Sequence, residues 1–344
     1  MPAAAEVLVV GAGLSGSIIA RELADGGIPV TLIEKRSHVA GNCYDYIHAS
    51  GIRVHKYGPH IFHTSNKKVF GWLSRFTGWV PYEHKVVAKL ASGQLVPFPP
   101  NRQTVSQVRP DDLEEVFYRP YSEKMWGIGL ERLSGAVTGR AAARINEDED
   151  RYFPDDIYQC LPTPGYTELV RNILDHRLIT VSLETGFSKS MERNFAHVFN
   201  SMAIDEYFDF RFGDLPYRSI VFHHSLMNIE RASNFPVINY TDRSPYTRIT
   251  EWKNFPGHGN VQDCTLLTQE QPCDYKDNNQ ERYYPVNDRH GLSRRTFLQY
   301  KSLCPANMTF VGRCGQYAYL DMDQAASSAL AVARRFLSAE KSIR

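Results

Sequence analysis

A chain of 344 residues is long enough for two or three domains. Its 39 Lys and Arg against 38 Asp and Glu leave a net charge of +1, so no overall field draws it to nucleic acid, an acidic membrane face or a polyanion. With 42% hydrophobic and 22% charged residues it is neither disordered nor collagen-like. No apolar run approaches the roughly 18 residues of a membrane span. The opening Met1-Pro2-Ala3-Ala4-Ala5-Glu6 lacks the basic and apolar regions of a leader. Cys43, Cys160, Cys264, Cys273, Cys304 and Cys314 form no C-x-x-C pair, so a cytoplasmic protein with reduced thiols and no metal site is expected. Aromatics are in excess, at 19 Tyr, 18 Phe and 4 Trp, and many stand beside Arg, Asn, Pro or Gly. That distribution suits a site that stacks on planar or sugar-like ligands.

The first forty residues carry the plainest pattern. Val7 to Val10 is a continuous apolar run that reads as a buried parallel strand. Ser15 to Asp25 has Ile18, Ile19, Leu23 and Ala24 at helical spacing and ends in Gly26-Gly27. Pro29 to Glu34 is a second strand, which completes a βαβ unit. Short strands and turns follow from Gly51 to Arg102, and a helical pattern from Gln103 to Arg140. Asn146 to Asp150 reads as an acidic, flexible stretch. Arg218–His223, Val237–Tyr240 and Leu266–Gln269 read as strands of an antiparallel sheet. The chain then returns to its opening style, with a strand at Met308–Gly312 and an amphipathic helix from Gln324 to Ala339. The implied fold is α/β, with a discontinuous cofactor domain interrupted by insertions.

Gly11-Ala12-Gly13-Leu14-Ser15-Gly16 stands between strand and helix, and Glu34 ends the second strand. In that context the motif reads as a dinucleotide site. Gly11 permits the tight turn, Gly13 admits a pyrophosphate, Gly16 allows helix–strand contact, and Glu34 accepts from ribose hydroxyls. Ala40-Gly41-Asn42 offers a second small-residue turn. Gly312-Arg313 and Asp321, just before the last helix, return to the same place from the far end of the chain. A cofactor touched by both ends suits FAD better than NAD.

At this point the residues resemble the bacterial-type UDP-galactopyranose mutase family. The matching segments are Val9–Gly16, Glu34–Arg36, Gly41-Asn42, His55–Thr64, Tyr121–Gly127, Pro164–Thr167, Tyr207–Gly213, Tyr217–Ser219, Pro245–Glu251, Tyr283–Val286 and Phe310–Met322, in the family's order. The resemblance implies a Rossmann-like FAD-binding domain over 1–78, 180–212 and 296–344. It also implies a shortened helical domain over 102–140, and an antiparallel β-sheet substrate domain over 79–101, 141–179 and 213–295. It implies an isomerase that interconverts the pyranose and furanose forms of a nucleotide-activated sugar, UDP-galactose first among them, for cell-surface polysaccharide biosynthesis. By that resemblance, N5 of the reduced flavin would act as the nucleophile at the anomeric carbon, without net redox change. NAD(P)H or another reductant would activate it, and a homodimer is the family's usual state.

Residue by residue, Arg248 is similar to the family's diphosphate-binding arginine, and Arg144 to the arginine of its mobile lid. His60 and His63 resemble the histidines under the flavin. Tyr284 and Tyr319 resemble the diphosphate-holding tyrosines, with Tyr121 and Tyr152 as further substrate-side tyrosines. Phe117, Tyr118 and Trp126 match the aromatic cluster around uridine, and Arg218 stands near the substrate. For the cofactor the resemblance selects Gly11, Gly13, Leu14, Ser15, Gly16, Glu34, Lys35, Asn42, His60, Ile61, Arg313, Tyr319, Asp321 and Met322.

Four departures stand out. The Val108–Phe117 connection is shorter than is usual by a few dozen residues, which bears on the dimer contact. His84 replaces an Asn near the sugar, Phe199–Met202 an unlike strand end near the flavin, and Ala40 a Gly. Two other readings share parts of this pattern. A flavin oxidoreductase of the amine-oxidase type would consume an acceptor, and a silent nucleotide-sugar binder would turn nothing over.

Overall fold

The computed structural model describes residues 6–133 and 142–343, excepting the side chains of 341–343. A five-stranded parallel sheet takes the order Ile179–Ser182, Val30–Ile33, Val7–Val10, His197–Asn200, Met308–Phe310. Its opening strand is buried throughout, and successive side chains serve opposite faces. Val7 and Val9 join the core with Ile18, Ile19 and Leu23, whereas Leu8 and Val10 pack with Val198, Tyr207 and Met308. The helix Leu14–Asp25 lies against the last helix, Met322–Ile343. Buried Ala326, Ala329, Leu330 and Ala333 supply the facing stripe at i, i+3, i+4 and i+7.

The second layer is a seven-stranded sheet in which Tyr217–Met227 pairs with Thr265–Asp274 over ten residues. The sheet is mixed rather than purely antiparallel, because Val237–Tyr240 runs parallel to Val86–Lys89. The long excursion between those strands brings the chain back in the same direction, which a hairpin cannot do. Tyr158–Thr163 pairs instead with Phe62–Thr64 and Gly78–Pro81, and the helix Tyr166–Leu174 packs on Leu14–Asp25. Residues 158–174 thus reach the first helix of the parallel-sheet layer from a separate three-stranded sheet. Their Leu169, Val170 and Ile173 stripe is buried in a core to which both layers contribute.

The helical insertion contains Arg102–Val105, a π-helical turn over Glu114–Tyr118 and the helix Arg119–Trp126. The acidic stretch expected to be flexible is tied down, by Asp148 to Arg102 and Asp150 to Lys85, each at 2.9 Å. Arg140 lies outside the described residues. No helix among the described residues is long and apolar enough to cross a membrane.

Candidate functional site

A cleft of about 390 Å³ opens at the carboxyl ends of the parallel strands. Gly11, Gly13, Leu14, Ser15, Gly16, Glu34, Lys35, Asn42, His60, Arg313, Asp321 and Met322 line it; Ile61 and Tyr319 of the expected cofactor set do not. Each glycine has its own reason. Gly11 holds φ +99°, and a Cβ there would come within 2.0 Å of Ser201 Oγ. A Cβ on Gly16 would meet Gly11 O at 2.0 Å, so only glycine lets helix and strand touch. A Cβ on Gly13 would find no atom nearer than Gly41 Cα at 3.7 Å. It would take up the space that a pyrophosphate needs. The helix Leu14–Asp25 has no side-chain cap, which leaves its first N–H groups to a ligand.

Glu34 is buried, and its carboxylate accepts from Ala12 N at 2.8 Å and Arg36 N at 2.9 Å. Ala40 occupies the left-handed region at φ +72°, in a conformation that disfavours a Cβ. Sequence reasoning missed Glu281 and Arg282 among the lining residues; Arg36, Ser201 and Met202, which it noted in the Glu34–Arg36 and Phe199–Met202 segments without assigning them to the cofactor, line the cleft as well. Arg36 forms an ion pair with Glu281 and donates to Asn42 Oδ1 at 3.0 Å, which fastens the 278–282 segment to the turn after the second strand.

His60 joins this cleft to a second group of side chains. It senses the charges of both Arg313 and Arg248, and burial pushes its imidazole down to about 4. Its Nδ1 lies 2.8 Å from Gly58 O, which makes Nδ1 the donor and leaves Nε2 as an acceptor. Arg313 anchors through Nε and Nη2 to Leu320 O and lies over the rings of Tyr284 and Tyr319, at 5.2 and 5.4 Å. Those two tyrosines stack at 5.4 Å, with Trp126 6.0–6.3 Å from them.

Sheet register builds the rest. Arg218 stands opposite Tyr284, and Arg248 stands opposite Glu270. Arg218 donates to the carbonyls of Met125 at 2.8 Å and Lys124 at 3.1 Å, at the carboxyl end of the helix Arg119–Trp126. Exposed carbonyls and the dipole favour a cation there. Gly127 ends that helix at φ +67°, and a Cβ on it would lie 2.8 Å from Arg218 Nη1. No carboxylate forms an ion pair with Arg218 among the described residues; burial lowers its pKa, against the more distant pull of Cys273, Asp274 and Asp277.

Arg248 differs. Its Nε donates to Glu270 Oε2 at 2.7 Å, and Glu270 is 1% exposed. Burial raises the Glu270 carboxyl while Arg248 pulls it back; burial alone would lower Arg248, but Glu270, Tyr121 and Tyr284 hold it well above its usual range. Sequence reasoning missed Glu270 because nothing local marks it; only register pairs it with Arg248.

The remaining expected residues divide. Tyr121 and Tyr284 are half-buried, and the desolvation raises their phenols and keeps them as O–H donors. Tyr118 and Tyr152 flank Phe98 at 6.1 and 6.3 Å, and Tyr118 lies near Arg144. Phe117 is core, 2% exposed, so it packs the fold and offers no free face to uridine. Arg144 donates to Arg151 O at 2.8 Å, with Nη1 buried and unpartnered. His63 is tied to Asp156 at 2.7 Å and stacked on Phe153 at 3.5 Å, away from the cleft lining. His84 is buried beside Tyr82 OH at 3.2 Å, and burial pushes it down to about 3.

Fold and cleft together define a dinucleotide-binding fold with a cluster of arginines and tyrosines beside the cleft. Residues 116–319 match the family model for UDP-galactopyranose mutase, and residues 9–76 match an NAD(P)-binding Rossmann-like domain. The chain is 32% identical to the dTDP-fucopyranose mutase of Escherichia coli, over 98% of this chain and 99% of that one. It is 31% identical to the UDP-galactopyranose mutase of Mycoplasma genitalium, over 97% and 95%. The fold matches a crystal structure of reduced UDP-galactopyranose mutase at a TM-score of 0.76 and 13% identity, covering 97% of this chain and 94% of that one. A putrescine oxidase shares the fold at a TM-score of 0.59 and 12% identity, with 97% and 99% covered. The chain belongs to the UDP-galactopyranose mutase family, whose members are isomerases, and membership implies a flavin cofactor.

Proposed function

We propose that this chain interconverts the pyranose and furanose forms of a nucleoside-diphosphate hexose, with FAD held in the glycine-turn cleft and used in its reduced form. Its relatives are named for dTDP-fucopyranose and for UDP-galactopyranose. UDP-galactopyranose and UDP-galactofuranose are the first pair to test, and dTDP-fucopyranose the second.

The observation that carries this reading is a charge account. Expelling a nucleoside diphosphate from the anomeric carbon develops negative charge, which fixed donors must meet. Arg248 is already neutralised by Glu270. Arg218 and Arg313 are anchored only by carbonyls and have no ion-pair partner among the described residues, so they retain charge for an anion. A planar guanidinium with two fixed edges can still present a third to phosphate oxygens.

Reduced FAD, when bound, supplies a nucleophilic N5 for the anomeric carbon without net redox change. The chain's own residues bind and orient. Arg218 would hold the departing diphosphate with Tyr284 and Tyr319 beside it, and Tyr121 would add a protonated hydroxyl. Arg248 with Glu270 would present a rigid, oriented N–H edge rather than net charge. His60 would offer a neutral acceptor at the boundary with the cofactor. Tyr118, Tyr152, Trp126 and Arg144 would form the nucleoside side, and His84 the sugar side. An NAD(P)H-type reductant and a homodimer altered at Val108–Phe117 belong to this proposal through the family likeness, and a cytoplasmic location through the cysteine pattern.

Reduced protein should be incubated with a panel of nucleotide sugars, and pyranose separated from furanose products. Furanose formed from UDP-galactopyranose or dTDP-fucopyranose is the expected result. Oxidised product with acceptor consumed would establish the amine-oxidase reading instead, and binding without product a silent binder.

A further inference from the structure

Behind the cofactor cleft, three histidines form a chain whose hydrogens are fixed by what stands at its two ends. The backbone N–H of His60 lies 3.0 Å from His55 Nδ1, His55 Nε2 lies 3.0 Å from His258 Nε2, and His258 Nδ1 lies 3.1 Å from Pro256 O. An amide N–H can only donate and a carbonyl can only accept. His55 Nδ1 must therefore carry a lone pair, so its hydrogen is on Nε2 and points at His258. His258 must accept at Nε2 and carry its hydrogen on Nδ1, which donates to Pro256 O. A second hydrogen on either ring would set two donors head to head.

Both rings are shut away from water, at 1% exposure for His55 and 4% for His258. Trp252 and Phe255 pack against both, with centroids 5.2–6.4 Å away. The chain thus ends in one act, which is to hold the His60 amide. The His60 side chain is fixed separately by Gly58 O through Nδ1, which leaves its Nε2 lone pair uncommitted, and His60 lines the cleft while the other two do not.

We propose that His55 and His258 are positioning residues for the cofactor: their one-directional relay fixes the His60 backbone, so that a neutral imidazole with an open Nε2 faces the bound flavin. This rests on flavin occupying the cleft. An acceptor that cannot drift favours whichever flavin redox state presents a donor to it, so the relay contributes to the balance between oxidised and reduced FAD.

The test uses the flavin-loaded protein and two readouts. Long-range proton–nitrogen correlation on labelled imidazoles should find His55 as the Nε2–H form and His258 as the Nδ1–H form. The opposite form at His55 would overturn the relay. The second readout is the flavin midpoint potential. His258→Phe removes the acceptor and should change the ratio of affinities for reduced and oxidised FAD about tenfold, read as a shift of about 30 mV for a two-electron couple. His258→Gln keeps an acceptor and a donor and should stay within about threefold of the parent. Should His258→Phe not fold, His258→Asn, too short to reach His55, takes its place. Variants that lose thermal stability but keep the parent potential would show a merely structural role and overturn the proposal. A parent that takes up no flavin would instead overturn the reading of the cleft, and the imidazole forms would still be read on that protein.

Discussion

The glycine-turn cleft and the arginine–tyrosine cluster are neighbours, and they are built in opposite ways. The cleft comes largely from one short stretch, Gly11–Gly16, where missing side chains let backbone N–H groups face a ligand. The cluster takes Arg218, Arg248, Glu270, Tyr284 and Arg313 from distant segments, and sheet register brings most of them together. A site made of backbone fails when a side chain is added; a site made of side chains fails when a charge is left unbalanced. Each kind of failure can be provoked separately.

The largest effect is expected at Arg218. Arg218→Ala should lower kcat by about 10³-fold, in the range found for removing one preorganised anion-stabilising donor, while the flavin absorption spectrum is retained. Stopped-flow turnover with a flavin count per chain measures both. Parent-like turnover would show that the Arg218 guanidinium, which has no direct ion pair, is not what the diphosphate meets.

Arg248→Ala sharpens the contrast, because it strands a buried carboxylate. Its cost in stability should be about 3–5 kcal/mol, as for one partner removed from a buried pair. Adding Glu270→Gln should recover much of that, as denaturant melts would show. Equal losses in the single and double variants would contradict the compensation argument.

Acid should act through imidazoles rather than through either pair. His84 and His258 are pushed down to about 3 and about 4, and His55 well below its ordinary value, all chiefly by burial. With folded pKa values below the unfolded value of about 6.5, these groups bind more protons when unfolded. Their stability is complete above about pH 6.5 and falls as the pH drops toward 4, by about 1.4 kcal/mol per pH unit for each. Melts at pH 7.5, 6 and 5 should show that slope, and a flat profile would contradict it.

The smallest effect is confined to the cleft. Gly16→Ala brings a Cβ within 2.0 Å of Gly11 O, and such overpacking costs about 1–3 kcal/mol. Flavin affinity should fall by one to two orders of magnitude. Turnover per bound flavin should stay near the parent, since Arg218 and Tyr284 are held by the other layer.

The same contrast explains what the sequence discloses. Strand, glycine turn, helix and acidic residue follow one another within Val7–Glu34, so local periodicity is enough to place the cleft. Asp321 and Arg313 are found because a strand and a helix bracket them. Glu270 is invisible, since a lone acidic residue in Thr265–Asp274 reads as a solvent-facing position until register sets it against Arg248. Gly127 enters the sequence reading only as part of the Tyr121–Gly127 segment, and nothing local shows that it leaves room for Arg218. Phe117 is placed with the uridine cluster by the family resemblance alone, whereas its helical spacing suits a core position, and at 2% exposure it lies in the core. The parallel pairing of Val237–Tyr240 with Val86–Lys89 escapes sequence reading for a like reason: strand direction is set by the intervening excursion.

The central claim is that the cluster serves an isomerisation that borrows the reduced cofactor's nucleophile and returns it. The most direct test follows furanose formation from UDP-galactopyranose and dTDP-fucopyranose under anaerobic conditions, with fully oxidised enzyme and with enzyme reduced by dithionite or NAD(P)H, counting reductant against product. Negligible product from oxidised enzyme, and many products per reductant from reduced enzyme, is the expected result. Equal product from fully oxidised, anaerobic enzyme, or one reductant spent for every product, would contradict it.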